Sequence, residues 1–129
     1  MSSSVVVARP SLAALPAAAG RHRALAAAGV VAPPLFAALI VVAGRFYPGY
    51  SHAAQAISEL GGVDAAQPLV QNVNFGLLGA AMVACAAGLR GLLPRRRRAT
   101  VATTLLAVFG GVAMAHGLLP CDSGCEFIT

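Results

Sequence analysis

Three apolar runs, Ala24 to Gly44, about Pro68 to Leu89 and about Ala99 to Leu119, constrain this chain more than anything else in it. The hydrocarbon core of a bilayer takes roughly 20 residues of α-helix to cross, and each run reaches that length. Lipid offers the backbone no hydrogen-bond partners, so a crossing run must be helical. With 58% hydrophobic and 10% charged residues and a mean hydropathy of +0.79, the 129-residue chain lacks the polar surface of a soluble domain. The expected fold is all-α: a polytopic membrane protein with three transmembrane helices, whose first partner is the lipid bilayer.

The net charge of +5 comes from nine arginines against four acids, with no lysine. Nucleic acid is not an expected partner, because the arginines flank the spans and no aromatic and basic module accompanies them. Residues 1–23, with Arg9, Arg21 and Arg23 and no acid, read as a disordered cytoplasmic tail. The apolar run that follows is longer than the roughly 7–15 residues of a signal-peptide core, which favours a retained span; Val42-Ala43-Gly44 keeps cleavage open as the lesser alternative. The tail and the turn Arg90 to Arg98 hold eight arginines, whereas the first loop sets Arg45 against Glu59 and Asp64. The positive-inside rule then puts the N-terminus in the cytoplasm and the first loop and C-terminus outside a cell membrane. The division expected is a tail at 1–23, a three-span domain at 24–120 and an external tail at 121–129. Arginine in place of lysine, with abundant alanine, fits a GC-rich bacterial genome.

Within the spans, Pro33-Pro34 removes the helical partners of the Gly29 and Val30 carbonyls and predicts a kink. Broken helices make transport sites, but no polar side chain accompanies these prolines, and a packing kink is the plainer reading. In the second run Asn72, Gly76, Ala80, Ala84 and Gly88 recur every four residues, predicting one helix-packing face. Ala107, Gly111 and Ala115 predict its counterpart on the third, and Cys85 reads as a buried structural thiol. Asp64-Ala-Ala-Gln67 has the form of a capping box for the second helix.

The loop Phe46 to Gly62 is rich in groups able to do chemistry: Tyr47, Tyr50, Ser51, His52, Gln55, Ser58 and Glu59. Pro48-Gly49 predicts a type II turn, and Ser51 to Leu60 a short interfacial helix with His52, Gln55 and Glu59 on one face. The topology gathers His52, Ser58 and Glu59 with Asn72 and Asn74 at the start of the second span and His116 and Asp122 at the end of the third. Ionisable groups at membrane depth are costly and mark sites, so this outer polar cluster is the candidate site. It is either structural or binds a small polar or lipid-headgroup ligand.

An enzyme is the alternative, with His52 or His116 as acid or base and Glu59 or Asp122 orienting it, although no nucleophile motif or H-E-x-x-H is present. A third reading is half of a transporter, disfavoured by the lack of charge deep in any span. Cys121 and Cys125 flank an Asp-Ser-Gly turn; a disulfide is preferred over free thiols or a metal set with Asp122 and His116. No cofactor or metal is expected.

Four elements, Tyr47-Pro-Gly-Tyr-Ser-His52, Ile57-Ser-Glu-Leu-Gly61, Asn72 to Gly79 and Pro120-Cys-Asp-Ser-Gly-Cys125, give a resemblance from Ala24 to Cys125. The chain resembles the bacterial and archaeal integral membrane proteins grouped as domain of unknown function 998. That resemblance supports the membrane fold, implies no activity, and directs first attention to Ser58, Glu59, Asn72 and Asp122. Members typically carry about twice as many spans. The expectation is a truncated product, a fragment, or a half that pairs with a missing second half or another copy as a homo-oligomer.

Overall fold

The computed structural model describes residues 14–119. These form three long helices, α1 (Ala14–Arg45), α2 (Pro68–Leu92) and α3 (Arg97–Leu118), with a 3₁₀ turn at Ile57–Gly61 between the first two. Each helix is long and apolar enough to cross a membrane: 18-residue stretches within Pro16–Arg45, Pro68–Leu92 and Arg97–Leu118 have mean hydropathies of 2.4, 1.6 and 1.7. The all-α, three-span fold expected from hydropathy is the fold found.

α1 begins at Ala14, ten residues before the apolar run, so the later part of the stretch read as a disordered tail is helical. Alanine, leucine and arginine are strong helix formers, and nothing between Ala14 and Ala24 except Pro16 and Gly20 opposes continuation. The helix also runs through Pro33 and Pro34 without a break. α2 starts at Pro68 in the first helical position, where the missing N–H costs nothing. The capping box expected from Asp64 does not form: Gln67 is the cap residue and makes no side-chain capping bond.

α2 is the middle helix, packed antiparallel against α1 on one side and α3 on the other. Two different glycine faces make this arrangement. Toward α3, a Cβ on Gly79 would collide with the Gly110 carbonyl and Met114, and one on Gly110 would lie 2.6 Å from the Gly79 carbonyl. Toward α1, a Cβ on Gly88 would strike the backbone of His22 and Ala26, and Gly29 leaves room for the buried Cys85 thiol. Close backbone approach of this kind is how membrane helices associate without a hydrophobic drive between them.

The single stripe expected on α2 is therefore corrected. Its residues divide between two neighbours and open surface: Asn72 and Gly76 lie against Gly117 of α3, Gly88 is buried against α1, and Ala80 is exposed. On α3 the packing residues are Thr103, Gly110 and Ala113, not Ala107, Gly111 and Ala115; Gly111 is exposed with open space around it. Small residues occur all round both helices, so four-residue spacing alone does not identify the facing side. Cys85 is the buried free thiol expected.

Candidate functional site

The loop between α1 and α2 folds as two short turns rather than one helix. Tyr47 to Tyr50 makes the expected turn, with Gly49 at φ 77° and the Tyr50 N–H donating to the Tyr47 carbonyl at 3.1 Å. A single helical turn follows, with the Gln55 N–H bonded to the Ser51 carbonyl at 2.9 Å. Ala56 is then extended (φ −72°, ψ 143°), and the 3₁₀ turn starts at Ile57. The continuous Ser51–Leu60 helix is thus interrupted at Ala56. Glu59 causes the interruption: its Oε1 accepts the Ala56 N–H at 3.1 Å, which anchors a new turn there.

Glu59 also organises what precedes it. Its Oε2 accepts from Gln55 Nε2 at 2.8 Å, and Gln55 Oε1 accepts the Ser51 N–H at 2.9 Å. The Tyr50 hydroxyl donates to the Ala56 carbonyl at 3.3 Å. Both carboxylate oxygens are used in holding the loop, and among the described residues neither His52 nor His116 bonds to them. Burial, and secondarily the negative charge of Glu59, push the Tyr50 hydroxyl above its ordinary pKa. A phenol whose folded pKa is raised adds stability below its unfolded pKa, about 10, and that stability is lost as pH climbs through the folded value. Tyr50 is expected to ionise above the ordinary tyrosine value, read as the difference between ultraviolet titrations of the intact protein and of Tyr50→Phe. Glu59→Gln should lower the Tyr50 midpoint only partly, because burial is the larger cause; a Tyr50 midpoint at the ordinary tyrosine value would contradict this account.

His52 is exposed and stands edge-on to the Tyr50 ring, with centroids 4.9 Å apart. It also lies over the end of α1, where a Cβ on Gly44 would be 2.8 Å from the imidazole. Ser58 is half-buried and makes no side-chain hydrogen bond to another described residue. The half-buried Asn72 side chain presses on Gly61, and its carbonyl packs against Gly117 of α3. His116 bonds through Nδ1 to the Val112 carbonyl at 2.9 Å, and its ring lies 5.9 Å from that of Phe75. Phe75 in turn lies 5.4 Å from Phe36, so an aromatic row crosses all three helices below the loop.

Asn74 is 1% exposed and donates through Nδ2 to the Phe36 carbonyl of α1 at 3.1 Å and to Gln71 Oε1 at 3.3 Å. Gln71, absent from the sequence-based candidates, is fully buried, and its Nε2 has no partner among the described residues. The i, i+3 spacing of two amides in an apolar helix was the available signal, masked by the adjacent Asn72. Leu60 and Gly61 of the 3₁₀ turn are buried as well. The loop is therefore a cap seated on the ends of the helices.

The elements bearing His52, Ser58, Glu59, Asn72, Asn74 and His116 meet at this one end, but the side chains do not form one hydrogen-bonded cluster. Glu59 belongs to the loop's own framework, Asn74 to the α1–α2 contact, and His116 to the aromatic row. Asp122, Cys121 and Cys125, with the disulfide expected between the cysteines, lie outside the described residues. Of the alternative metal set, His116 alone lies within them.

A groove of about 400 Å³ opens between α2 and α3 at this end, lined by Asn72, Val73, Gly76, Met114, Gly117 and Leu118 among others. Asn72 is the one polar residue among these, and its side chain also presses on Gly61. A smaller recess of about 190 Å³, on the α1–α2 side, reaches Asn74 past Ala28, Ala32, Phe36 and Leu78.

A family model described as a protein of unknown function (DUF998) matches residues 30–128. The chain belongs to the DUF998 family. The match takes in the loop, the Asn72 to Gly79 segment and the cysteine-containing end on which the resemblance was drawn. No curated protein and no solved structure matches this member of the family.

Proposed function

We propose that this DUF998 protein is a multi-pass membrane protein that binds a lipid at its loop end, with the polar headgroup against Asn72 and a chain along the α2–α3 groove. The observation that carries this reading is the groove itself. It sets Asn72, whose side chain makes no hydrogen bond to another described residue, beside an apolar floor formed by Val73, Gly76 and Leu118. Pockets that combine a large apolar wall with one or two convergent polar groups are where small ligands bind. The distribution of arginines supports placing this end outside and the Arg90 to Arg98 end in the cytoplasm.

The framework role of Glu59 makes acid–base chemistry on the loop the weaker reading, because neither carboxylate oxygen reaches a histidine. Binding is tested by purifying the full chain in mild detergent and quantifying retained membrane lipid by mass spectrometry. Asn72→Ala removes the amide, and Gly76→Leu fills the groove at a position where a Cβ meets nothing, so helix packing is left intact. Each variant should retain about fivefold less of one lipid class, the effect of one hydrogen bond or one blocked chain site. Unchanged retention in both variants would rule the site out.

A further inference from the structure

The opposite end of the bundle differs in chemistry from the loop end. Among the described residues the only acids, Glu59 and Asp64, lie in the loop, about one bilayer thickness away along α2. Arg90 and Arg95 to Arg98 are all exposed, and no carboxylate among the described residues stands beside them. At salt-screened distances of roughly 8 Å, nothing at the loop end offsets their field.

Arg90 is held differently from the other four. Its Nη1 donates to Thr100 Oγ1 at 2.6 Å, and that hydroxyl donates to the Arg96 carbonyl at 3.2 Å. This relay from the end of α2 to the first turn of α3 fixes the guanidinium over the mouth of a groove and uses only one of its donors. The groove, about 470 Å³, runs from Arg90 between Ala87 and Val83 of α2 and Ala107 and Val108 of α3. Thr103 on its wall directs its hydroxyl to the Ala99 and Thr100 carbonyls, at 2.8 and 3.2 Å, so that hydroxyl is already satisfied within α3. From Arg90 to Val83 the helix descends about 10 Å, most of the way through one leaflet's hydrocarbon.

We propose that this groove binds one anionic glycerophospholipid of the leaflet at the arginine end, its phosphate on the Arg90 guanidinium and one acyl chain between α2 and α3. Guanidinium pairs with phosphate oxygens through parallel N–H donors, and Arg90 has its remaining donors available for that geometry. The acid-free cluster at Arg95 to Arg98 repels the ammonium of a zwitterionic headgroup and attracts a net negative one. Basic pockets between membrane helices are recognised by this chemistry.

The test uses the full chain in mixed micelles of phosphatidylglycerol and phosphatidylcholine, with bound lipid counted by native mass spectrometry. Wild-type protein should retain phosphatidylglycerol over phosphatidylcholine, and Arg90→Gln should lower that retention about fivefold to tenfold. Arg95→Gln with Arg98→Gln removes twice the charge but should cost less, because those side chains do not head the groove. Ala107→Leu blocks the chain path without touching a charge and should lower retention to a similar degree, which keeps the test decisive if Arg90→Gln fails to fold. Equal retention of the two lipids, a larger loss in the double arginine variant than in Arg90→Gln, or full retention in Ala107→Leu would each overturn the site.

Discussion

Gly79→Leu should separate α2 from α3 and lower the stability of the protein by about 3 kcal/mol, the upper part of the range for overpacking a closed contact. The first atom added at Gly79 meets backbone, the Gly110 carbonyl and the Met114 N–H, as well as the Met114 side chain. A methionine can swing aside, but a helix backbone cannot, so relief requires the two helices to move apart. That movement also disturbs the Asn72–Gly117 approach two turns away, where the loop-end groove lies. Gly111→Leu is the control: it has the same chemistry one residue from Gly110, with open space around it, and leucine's better helix propensity should leave stability equal or improved by up to about 1 kcal/mol. Thermal unfolding of both variants in the same detergent checks the pair. If Gly111→Leu proved the more damaging, α3 would be rotated from the orientation described.

Asn74→Leu should cost about 1–2 kcal/mol, at the upper end of what hydrogen bonds between membrane helices contribute. The loss has two parts. The α1–α2 bond from Asn74 to the Phe36 carbonyl disappears, and Gln71, whose Nε2 has no partner among the described residues, loses the donor to its Oε1. A buried amide with neither end satisfied is worse than no amide at all. Gln71→Leu combined with Asn74→Leu should therefore be more stable than Asn74→Leu alone, even though it removes more native groups. Denaturant or thermal unfolding of the single and double variants measures this. Additive losses in the double variant would mean that the two amides act independently and that the buried pair is not a unit.

The same pair shows how the sequence and the packed structure divide the explanation. Asn74 was legible as a polar residue in a span, and its burial follows from the cost of leaving an amide in lipid. Gln71 shares a face with Asn74 by its i, i+3 spacing, but Asn72 beside it points another way, and only the position of α1 decides which of these faces is covered. Glu59 was read as a loop side chain able to serve a histidine. The short distance back to the Ala56 N–H instead made it the group that breaks the loop helix and starts the 3₁₀ turn. Likewise Gly110 rather than Gly111 became the contact on α3, since two adjacent glycines differ by 100° around a helix and composition cannot choose between them.

Residue order alone determined that three long helices form, where the loop turns at Gly49, and that arginine collects at one end and side-chain amides at the other. These follow from local rules: apolar length against bilayer thickness, proline and glycine backbone freedom, and the distribution of charge along the chain. Which face of each helix meets its neighbour, and hence which polar groups are enclosed and where grooves remain, was decided only by the tertiary structure. Lipid is as apolar as a leucine, so burial does not select a face in a membrane span; close backbone contact and paired amides do, and both depend on the partner helix being in place.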